Sequence, residues 1–322
     1  MRNHFLRASG VPSSGNTFNG VTTDLEVHYD FSRTDCWNRG TSTNAADYTV
    51  NNLAKNYNDA VFRSRTGSSD SFRDGSDSPC ITFNSSDGGG CLEMGGDNMD
   101  GNEDICALMI PGAYSSSSSS NVAYNISTVA ASSSDNLFNG LGNGAFTVEM
   151  WTRLYANESD GNGLASFNFL AGRDSAQDDD DLAGVFFGFY YNNGHSSSNK
   201  DSLSLLHHTG SSGHTAMTPR LFTNTPGTPA SGAGWSDWLH IVMVRESGTG
   251  SNNWKVYVNN TLEEQYTRHM NFTALQYGRL LYAWTAAAVQ QRLGIYRAYK
   301  GKALTSSEVT TNWNAQKSRF GH

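Results

Sequence analysis

The stretch that decides the fold is RLGIYRAYKGKALTSSEVTTNWNAQKSRFG, residues 292–321. Its first part continues a β run that begins at residue 290 and ends at 299. The second part opens on Thr305-Ser306-Ser307-Glu308, a capping box. The Thr305 hydroxyl can accept from the Glu308 N–H while the Glu308 carboxylate reaches back. Val309 and Trp313 then share one side at helical spacing, with Ala315 or Gln316 beside them. Gly321 stands where a helix stops. This predicts a closing strand followed by a helix over 305–317.

Everything before that ending has a different texture. Ser, Gly, Asn and Asp predominate, broken by short apolar runs. LEVHYDF (25–31) alternates. ITF (81–83) and LEM (92–94) flank NSSDGGG, a hairpin connection. AFTVEMWTRL (145–154) puts Phe146, Val148, Met150 and Leu154 on one face, and Thr147, Glu149, Trp151 and Arg153 on the other. GVFFGFYY (184–191) is apolar on both faces and predicts a central strand. WLHIVMVRE (238–246) and WKVYVN (254–259) follow, then 261–267, 277–284 and 290–299. Shorter strands are expected at 202–207, at 106–110, at 122–126, and after the turn-like NYND at 56–59. With no helical periodicity between strands, the class is all-β: an antiparallel two-sheet sandwich with one short C-terminal helix and long polar loops. Residues 1–20 read as an N-terminal arm and candidate anchor. Residues 21–322 read as the sandwich, with a loop-rich insertion around 95–142.

Composition narrows the function. Only 16% of the 322 residues are charged, but 16 Phe, 14 Tyr and 7 Trp supply a core, so the chain is not disordered. The net charge of −8, with no run of Lys or Arg, argues against nucleic acid. No apolar stretch is long enough to insert in a membrane. The N-terminus has no apolar signal region, which predicts synthesis in a cytoplasm without export. The four cysteines, Cys36, Cys80, Cys91 and Cys106, allow three pairings. None forms a C-x-x-C knuckle, and buried free thiols are the preferred reading.

Three blocks carry a family resemblance: FTVEMWTRL (146–154), WSDWLHIVMVRESGTGSNNWKVYVNN (235–260) and RLGIYRAYKGKALTSSEVTTNWNA (292–315). Together they resemble the laminin-G-like, concanavalin A-like jelly roll. Trp238, His240, Tyr257, Val258, Asn259, Tyr296, Arg297, Leu304, Thr305 and Glu308 occupy comparable positions. The ending ALTSSEV, then N-x-N-A-x-K-x-R-F-G, looks like proteins of tailed phages, notably marine and cyanobacterial ones. The resemblance implies a structural protein on the virion surface, first a capsid decoration or knob protein and second a tail fibre or adhesin. Its implied partners are other capsid or tail proteins, a second copy of itself, and host-surface glycans.

The same jelly roll carries β-glucanases, so catalysis is tested residue by residue. A retaining glucanase needs two carboxylates about 5 Å apart. Glu149 has no second carboxylate at i+2 or i+4, so no enzyme is expected. Its expected role is pairing with an arginine such as Arg153 or with a sheet neighbour. His207 and His208 face opposite ways on a strand, which disfavours joint metal binding with His214. No cofactor is predicted. Calcium is the candidate cation, at QDDDDL (177–182) or GGDNMDGNED (95–104), with a solvated acidic loop as the commoner use of such runs. For sugar, an aromatic platform with polar amides at a loop rim is required. Trp235, Tyr191, Asn192, Asn193 and His195 are the eligible residues.

Overall fold

The computed structural model describes residues 18–37, 49–54, 60–65, 81–94, 105–109, 137, 140–156, 164–174, 184–192, 202–208, 215–217, 234–248, 250–267, 275–283 and 291–322. Seventeen strands lie among them. They are β1 (Leu25–Asp30), β2 (Thr49–Val50), β3 (Ala60–Arg65), β4 (Ile81–Asn84), β5 (Cys91–Met94) and β6 (Ile105–Met109), then β7 (Phe146–Ala156), β8 (Leu164–Asp174), β9 (Gly184–Asn192), β10 (Ser202–His208), β11 (Thr215–Met217) and β12 (Gly234–Trp235). The last five are β13 (Leu239–Arg245), β14 (Trp254–Val258), β15 (Thr261–Tyr266), β16 (Leu275–Ala283) and β17 (Gln291–Lys300). Helix α1 (Ser306–Gln316) and a 3-10 turn, Lys317–Phe320, close the chain.

The strands form two antiparallel sheets. One has nine strands in the order β15-β14-β13-β7-β17-β5-β4, with β1 also on β17 and β12 also on β7. The other has eight, in the order β11-β10-β9-β8-β16-β6-β3-β2. The expected all-β sandwich with one C-terminal helix is the observed class. β4 and β5 pair as the predicted hairpin, and β9 lies between β8 and β10 as a central strand should. The VNN turn is a two-residue connection with Asn259 and Asn260 both at positive φ, the backbone a tight hairpin requires.

Strand β8 was not expected. Its register shifts between Asn168 and Leu170, and such a bulge breaks the two-residue alternation that marks a strand in sequence. The short β2, β11 and β12 were also missed, being too brief for a periodic signal. Residues 56–59, 122–126 and most of 95–142 lie outside the described residues, apart from β6 and positions 137 and 140–142.

β7 and β17 are the centre of the nine-stranded sheet. Phe146, Val148 and Met150 alternate inward with Ile241 and Met243 of β13, and with Tyr296 and Ala298 of β17, all buried. This is the face that a two-sheet sandwich buries between its layers. The opposite face carries α1. Val309 of the helix packs into a cluster with Leu25, Val242, Val244, Tyr257, Tyr299 and Leu304. The predicted capping box is present: Glu308 N donates to Thr305 Oγ1 at 3.3 Å, and Thr305 N donates to Glu308 Oε2 at 2.9 Å.

At Gly294, β17 shifts register and the C-terminal turn comes closest. A Cβ there would stand 2.6 Å from the Phe320 ring, so glycine is what lets Phe320 seat against the sheet. Of the expected arm, residues 1–17 lie outside the described residues. Phe18 packs onto Arg297, and the Val21 N–H donates to Asn312 Oδ1 at 2.8 Å. Cys36 and Cys91 are buried free thiols, as read from sequence.

Candidate functional site

Two polar constellations sit on the helix-bearing face of the nine-stranded sheet. The first is sealed. Glu149 of β7 lies opposite Arg297 of β17 in register, and the Arg297 Nη1 donates to its Oε1 at 2.7 Å. His240 Nε2 stands 3.1 Å from the same oxygen. Asn312 Nδ2 of α1 donates to Oε2 at 2.6 Å, and Tyr299 OH approaches it at 3.4 Å. Glu149, His240, Arg297 and Asn312 are all fully buried. Burial raises the Glu149 pKa, but the Arg297 charge and the His240 and Asn312 contacts overcome this and pull it down to about 2. Glu149 therefore pairs with a sheet neighbour, as one branch of the expectation held, and not with Arg153.

Arg153 belongs to the second constellation, which reaches solvent. Cross-strand partners Thr82, Glu93, Arg292 and Arg153 line up across β4, β5, β17 and β7. Arg292 donates through Nε to Glu93 Oε2 at 2.7 Å and through Nη1 to Asp87 Oδ2 at 2.7 Å. Arg153 donates through Nη1 to the same Asp87 oxygen at 2.7 Å and through Nε to Ser236 O. Trp238 Nε1 donates to Asp87 Oδ1 at 2.8 Å, and Asn84 Nδ2 donates to Glu93 Oε2 at 3.0 Å. Burial pushes Asp87 upward, yet the Trp238 and Arg292 hydrogen bonds and the Arg153 charge hold it below the usual carboxylate range. Above Arg292 lies Trp235 of β12, its ring centroid 3.9 Å from the guanidinium carbon. Trp235 is partly exposed.

The tip of the β4–β5 hairpin is what positions Asp87. Gly88, Gly89 and Gly90 all take positive φ, which glycine adopts without a Cβ penalty. Arg319 fastens that tip, donating from Nε to Gly88 O at 2.6 Å and from Nη2 to Gly90 O at 3.1 Å. The same guanidinium holds Asp30 through Nη1, at 2.9 Å to each oxygen. Loop, strand and C-terminal turn thus lock one another.

Of the rim residues expected from sequence, Trp235 is in this constellation. Tyr191 and Asn192 end β9 in the other sheet. They are related to Trp235 by connectivity: β7 ends at Tyr155 and Ala156, paired with Trp235 and Gly234, and β8 begins at Leu164, paired with Asn192. Both therefore lie where β7 passes to β8. Asn193 and His195 fall outside the described residues, as do His214 and both calcium candidates, 177–182 and 95–104. Among the described residues, no group of three or more His, Cys, Asp or Glu could hold a metal ion. Arg292, Asp87, Glu93 and Asn84 were not singled out beforehand, and Arg153 was named only as a partner for Glu149. The available signal was the pair of arginines on facing strands, once β7 and β17 were recognised as neighbours.

The architecture defines the chain as an all-β sandwich protein. No protein-family model matches it, and no curated protein does. Solved structures share the fold. The binding domain of botulinum neurotoxin DC in complex with SialylT is similar with a TM-score of 0.51 and 9% identity, over 92% of this chain and 52% of that one. The binding domain of botulinum neurotoxin serotype D/C gives 0.50 and 9%, over 92% and 53%. Domain 4 of AbnA, a GH43 extracellular arabinanase from Geobacillus stearothermophilus, in complex with arabinotriose, gives 0.47 and 16%, over 89% and 97%. The chain spans about half the length of the neurotoxin binding domains. At these identities the likeness is one of fold.

Proposed function

We propose that the chain is a non-catalytic carbohydrate-binding sandwich whose contact surface is the strip around Trp235, Arg292, Arg153, Asp87 and Glu93. The observation that carries this is the partly exposed indole seated 3.9 Å over an arginine that two carboxylates hold in place. Sugar recognition needs an aromatic surface for the C–H face of the ring and fixed polar groups for its hydroxyls. The ion pairs fix those groups before any ligand arrives, which lowers the ordering cost of binding. The shared fold of the neurotoxin binding domain seen with SialylT supports the reading. Two of the described carboxylates are ill suited to hydrolysis. Glu149 is sealed and held ionised, and Asp87 is shifted down, whereas a glycosidase acid needs an upward shift.

The test is saturable binding of the full chain on a glycan array. Trp235→Ala is expected to weaken binding about tenfold or more while leaving the melting temperature close to that of the parent. Undiminished binding by the variant would remove Trp235 from the site.

The setting we propose is the outer surface of a tailed-phage particle, made in the host cytoplasm and assembled with other capsid or tail proteins. The phage-like ending ALTSSEV with its N-x-N-A-x-K-x-R-F-G tail is what favours it. Mass spectrometry of intact particles should find the protein. Its absence from purified particles would end the virion reading and leave the glycan reading standing.

A further inference from the structure

We infer that the strip takes a neutral sugar presenting vicinal hydroxyls, and discriminates against acidic ones; this rests on the carbohydrate reading above. The reasoning is a count of donors, acceptors and charge. Arg292 spends Nε on Glu93 and Nη1 on Asp87, and Arg153 spends Nε on Ser236 O and Nη1 on Asp87. Among the described residues, each guanidinium retains an Nη2 group that makes no hydrogen bond. Glu93 takes both of its bonds, from Asn84 and Arg292, on Oε2, which leaves Oε1. All four charged side chains are partly exposed, at 15–22%, so the strip they form is open to a ligand.

The strip therefore offers interleaved donors and an acceptor with its charges already compensated, two arginines against Asp87 and Glu93. A hydroxyl both donates and accepts. One hydroxyl of a vicinal pair can accept from an Nη2 group while its neighbour donates to Glu93 Oε1, and the partly exposed indole of Trp235, one face of which rests on Arg292, borders the sugar's apolar edge. A sugar carboxylate or sulfate has no such fit. It would give up hydration without meeting net positive charge, and it would stand beside two carboxylates.

The experiment compares the full chain on neutral oligosaccharides with sialylated, uronate-terminated and sulfated ones, and then titrates salt. Binding is expected on the neutral set, with an affinity that changes less than about twofold between about 50 and about 500 mM NaCl, because a compensated site has little net field to screen. Glu93→Gln should weaken it about fivefold or more by removing the charged acceptor. Preference for the acidic set with loss of binding as salt rises would overturn the inference while leaving the carbohydrate reading intact, as would tighter binding by Glu93→Gln. Binding to neither set would overturn both. The salt titration uses the unaltered protein, so the outcome does not depend on the variant folding.

Discussion

Arg297→Met is expected to destabilise the protein by about 3–5 kcal/mol, the cost of leaving a buried charge without its partner. Glu149 would remain under α1, fully buried, with His240, Asn312 and Tyr299 as its remaining contacts. The substitution also removes the guanidinium beneath Phe18, loosening the segment that leads into β1. Urea unfolding reads the effect as a lowered midpoint. A loss below about 1 kcal/mol, the range of ordinary surface changes, would show that water reaches Glu149 and that the network is not sealed.

The same network sets the acid limit of the fold. Glu149 sits at about 2 in the folded chain against its ordinary 4.5. Its contribution is complete above 4.5 and is lost as the pH falls toward 2. His28 acts in the same direction. Burial, and then the nearby Arg297 charge, hold it neutral down to about 3, against an ordinary 6.5. Between those values the unfolded chain takes up a proton that the folded chain does not, so stability declines as pH falls through that window. The urea midpoint should thus begin to drop below about pH 6.5 and fall further below about 4.5.

Trp151→Ala is the second large effect, about 3–5 kcal/mol. Trp151 is fully buried and is the ring onto which the C-terminus docks. Trp313 stacks on it at 5.1 Å and 12°, and Phe320 at 4.4 Å and 14°. His240 lies 4.7 Å away on another side. Sequence spacing pointed to Val309 and Trp313 as the helix anchors. Val309 is fully buried, while Trp313 is only partly so and packs against the cluster of Trp151, Trp238, Ile295 and Phe320. Removing Trp151 takes away the surface that both Trp313 and Phe320 use. Near-ultraviolet circular dichroism should lose intensity along with the urea midpoint. An unchanged midpoint would mean that the C-terminal turn is held elsewhere, by Arg319 and its contacts alone.

What could be read in the chain depended on the range of the interaction. The capping box is a four-residue signal and came out as written. The 84–91 hairpin and the alternating strands, whose pattern repeats every two residues, did so too. The sealed network did not. Glu149 and Arg297 are 148 positions apart, and nothing local marks either as the other's partner. Asn312 looks like a solvent-facing polar residue, because a helix face is read by its apolar spacing; its burial follows from lying over Glu149. At the open strip, only Trp235 was recognisable from its type. Asp87 sat inside a glycine-rich turn that was read as a connection, although Trp238, Arg153 and Arg292 converge on it.

The pairing of β17 has a consequence for how the protein is made. This strand is neighbour to β7 along one edge and to both β1 and β5 along the other. Until a ribosome has released residue 300, those three strands have no partner on that side, and their open backbone edges are templates for other chains. Asp30 waits for Arg319, 289 positions later, to complete its ion pair. The β4–β5 hairpin and the β7-β13-β14-β15 run can pair as they emerge, but they and β1 cannot be joined into one sheet during vectorial synthesis until β17 is made. The sheet closes in one late event, when β17 arrives between strands made long before.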